Sequence, residues 1–177
     1  MKMNAENGEE EEISPSPLSR VVGSFAFFAA ALSAILVVLT LAITGYSVVQ
    51  RYFFGTPLTW TDELSGFLVV GIVMLGTAET LRRGEHISVD LLSSQATGFL
   101  KKLVGVWGYA STAFVAGVLF LSGWAAVEFS WTIGVYSDGY LEAPLWIPQS
   151  FLLIGGGLLF LVAVTRVFDL LFRKRKD

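Results

Sequence analysis

The chain has 177 residues, of which 54% are hydrophobic and only 15% are charged, and its formal net charge is −3. This composition excludes an ordinary soluble domain, which is less apolar. With no cysteine and a single histidine, the chain also excludes thiolate metal sites, iron–sulfur clusters, disulfides and a haem held by two histidines. We therefore expect a lipid bilayer as the surroundings, no cofactor and no nucleic-acid partner.

The first 17 residues are strongly acidic. They carry Glu6, Glu9, Glu10, Glu11 and Glu12, together with Pro15 and Pro17. Such a segment buries too little apolar surface to offset the entropy lost on ordering, so residues 1–17 are predicted to be a disordered tail. The apolar run that follows is much longer than the core of a signal peptide, which indicates a membrane anchor.

Four windows of the sequence contain no charged residue. They cover residues 21–50, 64–78, 103–127 and 143–165. A helix needs about 20 apolar residues to cross the hydrocarbon layer, and the second window reaches that length with its polar flanks. The sequence predicts an all-α membrane protein, a single domain at residues 18–172 with transmembrane helices at about 21–49, 61–82, 102–134 and 145–171.

The basic residues near the helix ends predict the orientation. Arg82, Arg83, Lys101 and Lys102 flank the second connection, and residues 173–177 form a basic tail. Short loops rich in lysine and arginine stay in the cytoplasm. Both termini are therefore expected inside. The connection "YSDGYLEAPLW" has no basic residue and is expected outside.

The middle of each predicted helix carries no ionisable residue. Charged groups at the bilayer centre normally mark ion paths and substrate sites. The chain is therefore poorly suited to move a charged solute alone. The triple glycine at residues 155–157 is the one candidate for a broken helix, but it is interpreted as a close-packing surface. The recurring small residues Ala26, Ala30 and Ala34 and the pair Ala113 and Gly117 also allow close approach, either to each other's helices or to a partner protein.

Two motifs flank the second helix, "QRYFFGTPLTWTDEL" before it and "LRRGEHISVDLL" after it. In this order they resemble the small permease subunit, DctQ-like, of tripartite ATP-independent periplasmic (TRAP) transporters, over roughly residues 48–92. The resemblance implies a bacterial or archaeal inner-membrane protein that braces a large permease subunit. That subunit would move an organic acid with sodium after delivery by a periplasmic binding protein. One departure is Gly66, which stands where such subunits often carry a basic residue.

The resemblance also supplies candidate structural or interface residues, which are Arg51, Tyr52, Trp60, Glu63, Arg83, Gly84, His86 and Asp90. Asp62 joins them from its own position, because Thr59 and Asp62 have the spacing of a helix capping box. Arg51 is the one basic residue on the outer side, so an ion pair with Glu63 is expected to compensate it. The segment from His86 to Lys102 is predicted to lie as an amphipathic helix on the inner surface.

Two other functions fit parts of the sequence. A haem-free membrane anchor of an oxidoreductase is compatible with four apolar helices and one histidine. A self-contained four-helix exporter is disfavoured because the helix middles are uncharged. No glycine-rich phosphate loop or serine, histidine and aspartate set appears, so an enzyme is not indicated.

Overall fold

A computed structural model describes residues 17–83 and 99–172 of the chain. Its regular structure consists of four helices: α1 (Pro17–Phe53), α2 (Trp60–Arg83), α3 (Phe99–Ile133) and α4 (Trp146–Phe172). Each helix contains a stretch long and apolar enough to cross a membrane. The predicted all-α fold with four transmembrane helices is confirmed.

Some sequence predictions lie outside the described residues. These are Gly84, His86, Asp90, most of the amphipathic segment, the basic tail at residues 173–177 and the acidic tail up to residue 16. Pro17, which closes the predicted tail, is instead the first residue of α1. Proline suits this position because the first helical amides have no partner within the helix.

The helices differ in length. At about 1.5 Å per residue, α1 and α3 are roughly 50–55 Å long, whereas α2 and α4 are roughly 35–40 Å long. The hydrocarbon layer is only about 30 Å thick. α1 and α3 must therefore tilt or extend beyond the layer. Arg51 lies near the C-terminal end of α1, so its position depends on this excess length.

α4 lies at the centre of the arrangement. It packs against α1, α2 and α3, while α1 also packs along α2. Within the described part of the chain, α3 packs against α4 alone. Only 11% of the most apolar stretch of α3 is buried, against 33% for α4. The bundle is thus open on the side of α3.

The triple glycine of α4 allows α4 to approach two neighbours closely. A Cβ atom placed on Gly155 would lie 2.5 Å from the carbonyl oxygen of Met74 in α2, and one on Gly156 would lie 3.2 Å from the backbone nitrogen of Phe120 in α3. The interpretation of these glycines as a packing surface is confirmed. The approach is so close at Gly155 that any larger residue must displace backbone.

α1 packs through a stripe of small and apolar residues. The buried positions include Val22, Ala26, Ala29, Ser33 and Leu36, and the Ser33 hydroxyl donates a 2.8 Å hydrogen bond to the Ile72 carbonyl of α2. Of the predicted alanine stripe, Ala26 is buried within the bundle, whereas Ala34 is exposed and does not contribute to packing between these helices. The actual stripe alternates three- and four-residue steps, which follow the 3.6-residue turn better than repeated steps of four.

Two glycines in the left-handed region follow the C-terminal ends of α1 and α3. Gly55 (φ +66°) follows α1 and Gly134 (φ +69°) follows α3, and such residues commonly terminate helices. Between α3 and α4, residues 135–145 form a short hairpin in which the Ser137 amide donates to the Ala143 carbonyl and the Leu145 amide to the Val135 carbonyl. This hairpin turns back over the start of α2.

Candidate functional site: polar clusters at the two ends of the bundle

The start of α2 is fixed to α1 by a buried pair of hydroxyl groups. Thr61 is only 1% exposed. Its hydroxyl donates a 2.6 Å hydrogen bond to the Leu58 carbonyl and is hydrogen-bonded to the Ser47 hydroxyl at 2.9 Å. A buried hydroxyl without such partners would be costly. The contact therefore fixes Ser47 and Thr61 at the same height.

This register separates Arg51 from Glu63, and the predicted ion pair between them does not form. Arg51 lies about 6 Å beyond Ser47 along α1, and Glu63 lies about 3 Å from Thr61 in the opposite direction along α2, at the usual rise per residue. Arg51 is exposed and makes no ion pair with any described residue. The prediction was wrong because α1 continues beyond the point where α2 begins.

Glu63 instead receives the tip of the hairpin. Its Oε2 atom accepts a 3.1 Å hydrogen bond from the backbone amide of Leu141, and its Oε1 atom is buried without a hydrogen-bond partner. A side chain on Gly139 would overlap the carboxylate. Glycine at this position thus lets the hairpin close over the first turn of α2. This contact joins the α3–α4 connection to α2.

The remaining candidates at this end of the bundle lie on the protein surface. Asp62 is exposed, and neither it nor Thr59 makes the predicted capping hydrogen bond. Asp62 still lies in the first turn of α2, where the positive end of the helix dipole favours a carboxylate. Tyr52 is 79% exposed and Trp60 is 37% exposed. Both suit the aromatic belt at a membrane surface.

At the opposite end of α2, Glu79 holds two arginines. Its side chain is 6% exposed. It accepts hydrogen bonds from Arg82 Nε and Nη2, both at 2.6 Å, and from Arg83 Nε at 2.9 Å. The two-point contact with Arg82 is the strong form of an arginine–carboxylate pair. Arg83, a predicted interface residue, is therefore partly engaged within its own helix.

The same cluster reaches two other helices. Arg166 of α4 donates a hydrogen bond from Nη2 to the Arg82 carbonyl, and the Arg82 side chain lies over Gly23 of α1, where a Cβ atom would be 3.1 Å from Arg82 Cδ. Sequence reasoning did not choose Glu79 or Arg166 as site residues. The spacing of Glu79 three and four residues before two arginines was the available signal.

These clusters are suited to fixing helices in register rather than to catalysis. Among the described residues, no group of three or more histidines, aspartates or glutamates could hold a metal ion. The charged side chains lie toward the helix ends. The middle of the bundle is held by glycine packing and by the hydrogen bond from Ser33 to Ile72.

Comparisons with a family model and with individual known proteins agree with one another. The family model described as "Tripartite ATP-independent periplasmic transporters, DctQ component" matches residues 40–173. The sialic acid TRAP transporter permease protein SiaT of Haemophilus influenzae is 32% identical over 72 residues, which cover 39% of this chain and 12% of that protein. The C4-dicarboxylate TRAP transporter small permease protein DctQ of Vibrio cholerae is 29% identical over 82 residues, covering 46% of this chain and 35% of that protein. No solved structure matches the chain.

Proposed function

The chain belongs to the DctQ component family of tripartite ATP-independent periplasmic transporters, and from this premise we propose that it braces a large permease subunit in the membrane. It is a multi-pass inner-membrane transport component and not an enzyme. In the proposed complex the large subunit carries out sodium-coupled uptake of an organic acid. A periplasmic binding protein delivers that acid.

The observation that carries this proposal is the uncharged middle of the four helices. Residues 21–50, 64–78, 103–127 and 143–165 contain no aspartate, glutamate, lysine or arginine. A path for an organic anion and a cation normally includes charged groups near the membrane centre. The middles of these helices carry no charged residue, so the transport path is assigned to a partner.

A subunit that braces another in the membrane also needs a helix surface that is not packed within its own bundle. α3 has such a face, because among the described helices it packs only against α4. Large side chains on α3 remain exposed, among them Trp107, Phe114 and Trp124. Close packing between helices stabilises association in lipid. An open face of this kind supports a subunit that functions in a complex.

The substrate class is proposed from the relatives. One of them is named for sialic acid and the other for C4-dicarboxylates. Both names denote organic acids that carry carboxylate groups. Because the described residues of this chain form no polar midplane site, the choice between such acids is assigned to the partners.

Orientation gives the first prediction. Arg82, Arg83 and Arg166 lie at one end of the bundle and the acidic hairpin lies at the other, so the arginine end is proposed to be cytoplasmic. A reporter that is active only outside the cytoplasm should work when it is inserted at Asp138 and fail when it is fused after Asp177. Activity of the fusion after Asp177 would contradict this orientation.

Reconstitution tests the proposed function. Liposomes that contain the chain alone should take up neither a C4-dicarboxylate nor sialic acid under an inward sodium gradient. Liposomes that contain the chain with its large permease, supplied with the binding protein and its acid, should take up that acid. The matched control is the same complex without a sodium gradient, which should be inactive. Gradient-driven uptake by the isolated chain would overturn the assignment of the transport path to the partner.

A further inference from the structure

A groove with two arginines lies at the arginine end of the bundle, between the start of α1 and the end of α2. It encloses about 400 Å³ and is lined by Ser19, Arg20, Gly23, Ser24, Phe27, Phe28 and Arg82. The polar residues of α1 that line it come first in the chain, and the two phenylalanines follow one to two turns deeper. The groove therefore changes from basic to aromatic along the direction in which α1 enters the membrane.

Among the described residues, charge within the groove is only partly neutralised, because Glu79 pairs with Arg82. Arg20 is exposed and makes no ion pair with any described residue. Arg82 gives its Nε and Nη2 atoms to Glu79, while its Nη1 atom lies on the side of Gly23, 3.8 Å from where a Cβ atom of residue 23 would be. Glycine thus keeps this side of Arg82 open. Arg20 is thus a cation without an ion pair among the described residues, and the Nη1 group of Arg82 can still donate to an anion in the groove.

The deeper part of the groove is apolar. Phe27 and Phe28 are 53% and 70% exposed, and their rings meet edge to face with centroids 6.2 Å apart. They begin about 10 Å along the α1 axis from Arg20, at the usual rise per residue. A small soluble anion would contact only the arginines. A molecule with an anionic head and a hydrocarbon chain would contact both parts.

We infer that this groove binds the phosphate group of an acidic phospholipid of the inner leaflet, with an acyl chain along Phe27 and Phe28. Basic pockets between membrane helices on the cytoplasmic side are suited to such head groups. The positive end of the α1 dipole, in the same turn as Arg20, adds to the attraction. The inference goes beyond the proposed bracing function, which does not require a bound lipid.

Lipid titration followed by native mass spectrometry tests the inference on the full chain in detergent. The probes are phosphatidylglycerol, phosphatidylcholine and inorganic phosphate. Phosphatidylglycerol should bind more tightly than phosphatidylcholine, and Arg20→Ala should weaken its binding about fivefold, since a basic residue near a membrane surface contributes about that factor. Arg20→Lys should retain most of the affinity because the charge is kept.

Arg51→Ala is the matched control, because Arg51 is an exposed arginine at the other end of the same helix. It should leave phosphatidylglycerol binding unchanged within twofold. Equal losses in the two alanine variants, or no loss in Arg20→Ala, would overturn the site. Equal binding of the two lipids would overturn the requirement for an acidic lipid. Displacement of phosphatidylglycerol by an equal concentration of inorganic phosphate would show a site for a free anion instead.

Discussion

Among alanine replacements at the described glycines of the membrane helices, Gly155→Ala should destabilise the bundle most. The new Cβ atom would lie 2.5 Å from the Met74 carbonyl oxygen and 2.6 Å from the Met74 Cβ atom. Backbone cannot rotate away as a flexible side chain can, so α2 and α4 must separate. Overpacking of this kind costs about 1–3 kcal/mol, and we expect the upper end of that range.

The measurement is thermal unfolding of the purified chain in detergent, monitored by loss of the folded peak in size-exclusion chromatography. A loss of about 3 kcal/mol should lower the midpoint by roughly 6–12 °C for a chain of this size. Gly45→Ala is the matched control, because Gly45 lies in α1 and a Cβ atom placed on it would have nothing within 4 Å. If both variants unfold at the wild-type temperature, the close approach of α2 and α4 is contradicted.

Glu79→Ala should give the second large effect. It would remove the acceptor of three hydrogen bonds from Arg82 and Arg83 and leave two like charges on neighbouring residues. Breaking a buried ion pair costs about 3–5 kcal/mol. Because the arginine side chains are 39% and 54% exposed, water would screen part of this loss, and we expect about 2–3 kcal/mol.

The same thermal assay measures this effect, and the two other acidic residues of α2 provide the comparison. Asp62→Ala should change stability by less than about 0.5 kcal/mol, because Asp62 is exposed and has no partner among the described residues. Glu63→Ala should fall between the two, since it would leave only the Leu141 amide without its acceptor. An effect of Glu79→Ala no larger than that of Asp62→Ala would contradict a structural role for the arginine cluster.

Local features of the sequence were sufficient to predict the helices. Uncharged windows of membrane-spanning length predicted all four, because lipid requires backbone groups to be satisfied within a helix. The packing role of residues 155–157 was also readable, since glycines let helix backbones approach each other closely in lipid. The residues that pack against these glycines could not be predicted, because nothing near Gly155 in the chain indicates that it contacts Met74.

The contacts of Glu63 show where local reasoning fails. The pairing of Arg51 with Glu63 was expected from a short connection between antiparallel helices, but the overhang of α1 is set by the contact of Ser47 with Thr61. The actual partner of Glu63 is Leu141, which is 78 residues further along the chain. A backbone amide in a distant hairpin has no signature in the sequence around Glu63.

Co-purification from native membranes tests most directly whether this chain is a small subunit of a TRAP-type complex. The tagged chain is extracted in a mild detergent, isolated by affinity and size-exclusion chromatography, and its companions are identified by peptide mass spectrometry. The account predicts a large TRAP permease subunit in an equimolar amount in the same peak. Recovery of the chain alone, or with a flavin- or haem-containing oxidoreductase in place of a permease, would contradict it.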